Sequence, residues 1–141
     1  GLGRYGTAIA ERLAERGVGF LGVDFDPEAV RAFQRRGWPA IYGDAADPNF
    51  VAGLPLAEAQ WILLAVPHAA AVLGHAETRA ALLAALRHAG FQGRIALTAT
   101  APGEEVLLRE LGADIVLSPF ADAADEAVQR LLAAPPAQSV P

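Results

Sequence analysis

Gly1-Leu2-Gly3-Arg4-Tyr5-Gly6 sets three glycines in the register G-x-G-x-x-G at the head of a helical stretch. Each glycine has a mechanical reading. Gly1 permits a tight turn, Gly3 lets the backbone approach a pyrophosphate, and Gly6 lets the following helix pack closely on a sheet. The start of that helix offers amide N–H groups without intrahelical partners and a partial positive charge, a setting that favours anions. With 14 glycines among 141 residues the spacing alone arises by chance. Its context decides. Residues 3–16 carry Ile9 and Leu13 four apart and stop at Gly17; the apolar run 19–23 follows as a strand, and Asp24 closes it. Glycine turn, helix, strand and acid form the order of a dinucleotide-binding unit, with the carboxylate placed to accept from ribose hydroxyls.

Outward from this unit the alternation continues. Asp26-Pro27 supplies a helix cap and a first-turn proline, and the helix runs to Gly37. Residues 39–42 read as a strand, and Asp47-Pro48 starts a short helix. Residues 61–66 are apolar on both faces, as a buried parallel strand is. An Ala-rich helix over 70–89, a strand over 94–99, a helix over 102–111, a strand over 114–117 and a helix over 121–132 complete the order. The expected fold is α/β: a Rossmann-like doubly wound parallel sheet with helices on both faces. Residues 1–132 form one domain and 133–141 a flexible tail. A glycine turn of this kind follows a strand, so the first strand is expected upstream of Gly1.

Around the turn, Asp24 also repels a 2′-phosphate, and the nearest cation in sequence is Arg31, a turn into the next helix; Phe25 and Asp26 follow the acid directly. NAD(H) and AMP, ADP or ATP are thereby favoured over NADP(H). Arg4 either pairs with a phosphate or lies exposed on the first helical turn. Asp44 ends the next strand at the same sheet edge and reaches the adenine side of the pocket, or serves only its own turn. Asp26 and Asp47 read as helix caps. His68 reads as a loop histidine rather than a ligand contact.

Composition removes several chemistries. All eleven basic residues are Arg. Without Lys there is no GK[ST] phosphate loop, no Schiff base and no Tyr-x-x-x-Lys pair. Cysteine is absent, and His68, His75 and His88 share no metal-ligand spacing, so no metal site is expected. The net charge of −5 argues against nucleic acid as a partner. No apolar run reaches the ~20 residues of a membrane span. No catalytic set is found. A nucleotide site with no chemistry beside it points to a sensor, the alternative being the cofactor domain of an NAD-dependent oxidoreductase.

Longer phrases carry a family resemblance. The opening six residues, Val23-Asp24-Phe25-Asp26-Pro27-Glu28 and Tyr42-Gly43-Asp44-Ala45-Ala46-Asp47-Pro48 resemble the N-terminal lobe of the RCK family, the Trk-type NAD-binding domain. Gly93-Arg94-Ile95-Ala96-Leu97-Thr98-Ala99 and Gly112-Ala113-Asp114 with Pro119-Phe120-Ala121 extend the likeness to about Leu132. Leu21-Gly22-Val23-Asp24-Phe25-Asp26-Pro27 and Leu54-Pro55-Leu56-Ala57 are most similar to cytosolic domains of Kef-type cation:proton antiporters. The resemblance implies a non-catalytic regulatory domain in which NAD(H), AMP or ATP biases the conformation of paired lobes. It places the chain on the cytoplasmic face of the inner membrane, as a homodimer beside a membrane-embedded cation transport domain or subunit. It carries ligand roles to Gly1, Gly3, Arg4 and Gly6 at phosphate, Asp24 at ribose and Asp44 near adenine. The neighbouring Tyr5, Phe25 and Ala45 complete the candidate set. His68-Ala69-Ala70-Ala71-Val72 departs from the acid and Asn of many relatives, which raises AMP or ATP relative to NAD. A stripe of Ala124, Val128 and Leu131 or Leu132 suits either a dimer contact or packing on the domain's own sheet.

Overall fold

A computed structural model describes residues 1–65 and 75–134, without the side chains of 75–78. The elements run α1 (Arg4–Glu15), β1 (Gly22–Asp24), α2 (Pro27–Arg35), β2 (Ala40–Tyr42), α3 (Pro48–Ala52), β3 (Trp61–Leu64), α4 (His75–His88), β4 (Arg94–Thr98), α5 (Glu104–Glu110), β5 (Ile115–Leu117) and α6 (Pro119–Ala133). The chain thus alternates helix and strand, and every strand pairing is parallel. A Rossmann-like α/β architecture results, as the periodicity requires.

Local chemistry explains the boundaries. Asp26 and Asp47 cap α2 and α3, their carboxylates accepting from Glu28 N and Asn49 N at 2.9 Å, with proline at the first helical position of each. Gly17 and Gly37 end α1 and α2 with φ of 67° and 76°, a region open to glycine at little cost. The last helix starts at Pro119 rather than Ala121, because a proline has no N–H to lose at that position.

Strand β1 pairs with β2, and β3 with β4, which pairs in turn with β5. Both β1 and β3 keep one edge with no strand partner among the described residues. Gly1 and Leu2 bridge the interval. Leu2 N–H donates to the Asp24 carboxylate at the end of β1, while Gly1 lies so close to Ala65, just past β3, that a Cβ there would overlap its carbonyl. β3 spans Trp61–Leu64; Leu64 and the following Ala65 are buried, and Trp61 stands 42% exposed.

Two apolar clusters follow the same division. Ala10, Val30, Phe33 and Ala40, with Leu2, Phe20 and Trp38 around them, pack beside β1 and β2. A larger cluster centred on Leu64, Leu82, Leu83, Leu86, Ile95, Leu97 and Leu108 fills the β3–β5 half. Val51 of α3 and Ala45 join that larger cluster and tie the halves together.

Candidate functional site

The site grows from the first eight residues and the carboxyl ends of β1 and β2. Gly3 caps α1 in extended conformation with no side-chain hydrogen bond and no acid in the first turn. The first helical bond runs from Thr7 N to the Gly3 carbonyl at 2.8 Å. Preceding amides of α1 are left without an intrahelical acceptor, the arrangement that receives phosphate. Thr7 also donates its hydroxyl to the Leu2 carbonyl at 2.9 Å, closing the turn on itself. Gly6 packs against the carbonyl of Gly1 so tightly that a Cβ would overlap that oxygen. Gly6 is therefore required by the turn's own packing and Gly1 by its approach to Ala65, before any ligand is considered.

Asp24 holds this turn in place. One carboxylate oxygen accepts from Leu2 N at 2.6 Å and the other from Asp26 N at 2.8 Å. A carboxylate has about four acceptor positions, so each oxygen keeps capacity for a ribose hydroxyl. The donor set fits the adenosine half of a nucleotide: free helix amides for phosphate and a fixed, half-spent carboxylate for ribose. Arg31, the cation nearest in sequence, is engaged by Glu28 one turn earlier on α2. Nothing cationic thus offsets Asp24 against a 2′-phosphate in that stretch.

The neighbouring strand brings the second acid to the same edge. Gly43 N donates to the Asp24 carbonyl at 3.0 Å, which sets Asp44 just beyond Asp24 across the β1–β2 pair. Asp44 spends one oxygen on Ala46 N at 2.8 Å, so the turn role is real whatever else it does. The Phe50 ring lies against Gly43, where any side chain would collide with it. Arg4 is exposed and makes no ion pair among the described residues. Phe25 is 71% exposed beside Asp24, and Tyr42 is 63% exposed at the end of β2. Ala45, in the candidate set, is partly buried against the larger core. His68 lies outside the described residues.

Some features carried no sequence signal. Burial first, and the charge of Asp122 second, hold the Tyr5 hydroxyl above its ordinary pKa. Arg79 of α4 is buried, donating to the Thr98 carbonyl at 3.0 Å and to Glu104 at 3.3 Å. Burial opposes the charge on Glu104, yet the amides of Thr100 and Ala101, the Thr100 hydroxyl and Arg79 outweigh it and bring its pKa from 4.5 to about 2. The stripe on α6 does not pack on the sheet: no residue of that helix is buried, and Leu131 and Leu132 are 74% and 82% exposed.

An open hollow lined by Gln60, Trp61, Gln92 and Arg94 lies at the opposite, amino-terminal ends of β3 and β4. Ligands of open parallel sheets gather at carboxyl ends, so the glycine turn keeps precedence as the site. Among the described residues no three His, Cys, Asp or Glu side chains gather as metal ligands, and no helix is long and apolar enough to cross a membrane.

The chain is 33% identical over 89 residues to the putative K(+) efflux antiporter KefB of Alkalimonas amylolytica, covering 63% of this chain and 12% of that protein. It is 27% identical over 126 residues to the Ktr system potassium uptake protein C of Bacillus subtilis strain 168, covering 88% of this chain and 53% of that one. The chain therefore spans at most about half the length of these relatives. Its fold matches the TrkA-N domain of the inner membrane protein ybaL from Escherichia coli, with a TM-score of 0.75, 22% identity, and 93% and 92% of the two chains covered. The GsuK channel bound to NAD matches with a TM-score of 0.61 and 24% identity over 76% of this chain and 18% of that one. GsuK bound to ADP matches with a TM-score of 0.60 and 25% identity over 76% and 26%. The model of the TrkA-N domain fits residues 1–119, from the glycine turn to the start of α6. The chain belongs to the TrkA-N domain family, as the RCK-type phrases in its sequence imply.

Proposed function

We propose that this chain is a regulatory nucleotide-binding domain of a potassium channel or monovalent cation:proton antiporter, and that it reads a nucleotide without transforming it. The observation that carries the reading is Asp24, which grips the glycine turn through Leu2 N at 2.6 Å and keeps acceptor capacity beside the uncapped start of α1. Gly1, Gly3, Arg4 and Gly6 take the phosphates, Asp24 the ribose, and Asp44 with its neighbours the adenine side. NAD(H), AMP and ATP share these groups, and the GsuK structures bound to NAD and to ADP support that range. The potassium-transport relatives KefB and Ktr protein C support a membrane-embedded transport partner, and the exposed Val128, Leu131 and Leu132 of α6 support a homodimer on its cytoplasmic face.

Thermal shift of the 141-residue chain with AMP, ATP, NAD, NADH and NADPH tests the reading. A ligand at 100 times its Kd stabilises by about 2.7 kcal/mol. The expected result is a rise in Tm with NAD(H) or an adenine nucleotide, largely abolished in Asp24→Ala. No response to any of the five overturns the proposal; a preference for NADPH contradicts the role given to Asp24.

A further inference from the structure

The most heavily engaged polar group outside the candidate site is the pair Arg79–Glu104. Arg79 is 4% exposed. Its guanidinium meets the Thr98 carbonyl at 3.0 Å and Glu104 at 3.3 Å, and its Nε has no partner among the described residues. Glu104 accepts, besides, from Thr100 N at 2.6 Å, the Thr100 hydroxyl at 2.9 Å and Ala101 N at 3.0 Å. Burying Arg79 and partly burying Glu104 costs desolvation that offsets much of their attraction, so such a pair is a poor device for stability alone. What it gains is direction, since charge-assisted bonds fix one geometry of the β4–α5 connection.

The pair sits within a continuous chain of contacts. At one end, Gly1 abuts the carbonyl of Ala65; the adjacent Leu64 carbonyl accepts from the Thr98 hydroxyl at 3.0 Å. Thr98 leads to Arg79 and Glu104. At the other end Glu105, next to Glu104, accepts from the Ser118 hydroxyl at 3.0 Å, and Ser118 N donates to Asp122 at 3.3 Å. α6 buries no residue of its own, and the Ser118–Glu105 bond ties its start to α5. An element held by a few bonds is the kind that small free energies can move.

We infer that Arg79 and Glu104 are positioning residues that carry the state of the glycine turn, across the ends of β3 and β4, to the first turn of α6. This rests on the nucleotide reading above. A phosphate on the turn braces Gly1 against Ala65. The relay passes that change to Ser118 through α5.

Hydrogen exchange of residues 118–124, measured with and without saturating AMP or NADH, tests this alongside Kd by calorimetry. In the wild-type chain the nucleotide is expected to change exchange there at least twofold. In Glu104→Gln the Kd stays within about threefold and that change falls by more than half. Ser118→Ala, a milder substitution outside the buried pair, is expected to do the same with Tm unaltered, and it decides alone should Glu104→Gln fail to fold. Retention of the full nucleotide effect in these variants overturns the inference, as does a Kd weakened more than tenfold, which would place the pair in the pocket itself. Nucleotide binding with no change at 118–124 overturns the inference and leaves the nucleotide reading standing. No binding to the wild-type chain overturns both.

Discussion

The half built on β1 and β2 and the half built on β3 to β5 divide labour unequally. The first carries the glycine turn, Asp24 and Asp44, yet its core holds one large buried side chain, Phe33, among Ala10, Val30 and Ala40. The second carries none of the candidate ligand groups, apart from the Ala45 side chain that leans into it, yet packs Leu64, Leu82, Leu83, Leu86, Ile95, Leu97 and Leu108 together. Burial contributes roughly 25 cal/mol per Å² of apolar surface, so the site-bearing half is held by the smaller apolar term. Such a region opens at lower free energy than a full core and is the part a ligand can stabilise most. The contrast sets the candidate ligand groups beside the smaller of the two apolar clusters, where a bound ligand adds the larger share of stability.

The largest effect expected from this contrast is that of Phe33→Ala. Phe33 is 2% exposed and meets Trp38 edge-on at 5.2 Å between ring centroids. Its removal costs about 3–5 kcal/mol. Each half holds one tryptophan, Trp38 in the first and Trp61 in the second. With Trp61→Phe or Trp38→Phe backgrounds, urea unfolding followed by fluorescence reports on each half separately. The Trp38 transition is expected at lower urea than the Trp61 transition, and Phe33→Ala widens the gap. Coincident transitions in every background would make the two halves one cooperative unit and break the comparison.

Next in size is Gly6→Ala. Alanine is the better helix former, so propensity alone predicts a gain. A Cβ at Gly6 instead meets the Gly1 carbonyl, a backbone atom with no rotamer to yield. The expected outcome is a loss of about 1–3 kcal/mol and of the nucleotide-induced Tm shift. A stabilised variant that still responds would show that the turn is looser than its packing implies.

In the other half, Glu104→Gln probes the ion pair with Arg79. The folded-state pKa of Glu104 lies at about 2, below its ordinary 4.5. Its contribution is therefore present above about 4.5 and is lost as pH falls toward 2. Wild type is expected to exceed Glu104→Gln by about 1–3 kcal/mol near neutrality, as bonds to a charged group do. That difference should shrink on acidification. A difference constant from pH 7 to pH 2 would remove the charge from the explanation.

Much of the architecture was legible because its signals are local. Asp26-Pro27 and Asp47-Pro48 start helices through bonds that span two residues, and Gly17 and Gly37 end them by a backbone angle. Asp24 was legible as an acid closing a strand; its grip on Leu2 N joins residues far apart in sequence and leaves no periodic trace. The Arg79–Glu104 pair escaped for the same reason, since Arg79 stands in an Ala- and Leu-rich helix with no partner at helical spacing. On α6 the stripe at helical spacing was visible in the sequence, whereas its exposure depends on tertiary placement.

The smallest expected effect separates capping from binding within the site-bearing half. Asp26 and Asp24 lie two residues apart and both hold backbone amides: Asp26 holds Glu28 N for α2, and Asp24 holds Leu2 N for the glycine turn. Asp26→Ala removes a helix cap and costs about 1 kcal/mol. It leaves intact the Asp26 amide that Asp24 uses at 2.8 Å, because that donor is backbone. Calorimetry with NADH or AMP is therefore expected to give a Kd within about twofold of wild type despite the lower Tm, whereas Asp24→Ala loses binding with a comparable fall in Tm. If Asp26→Ala weakened binding as much as Asp24→Ala, general loosening of the thin half would account for both. Asp24 would then lose its claim as a ligand residue.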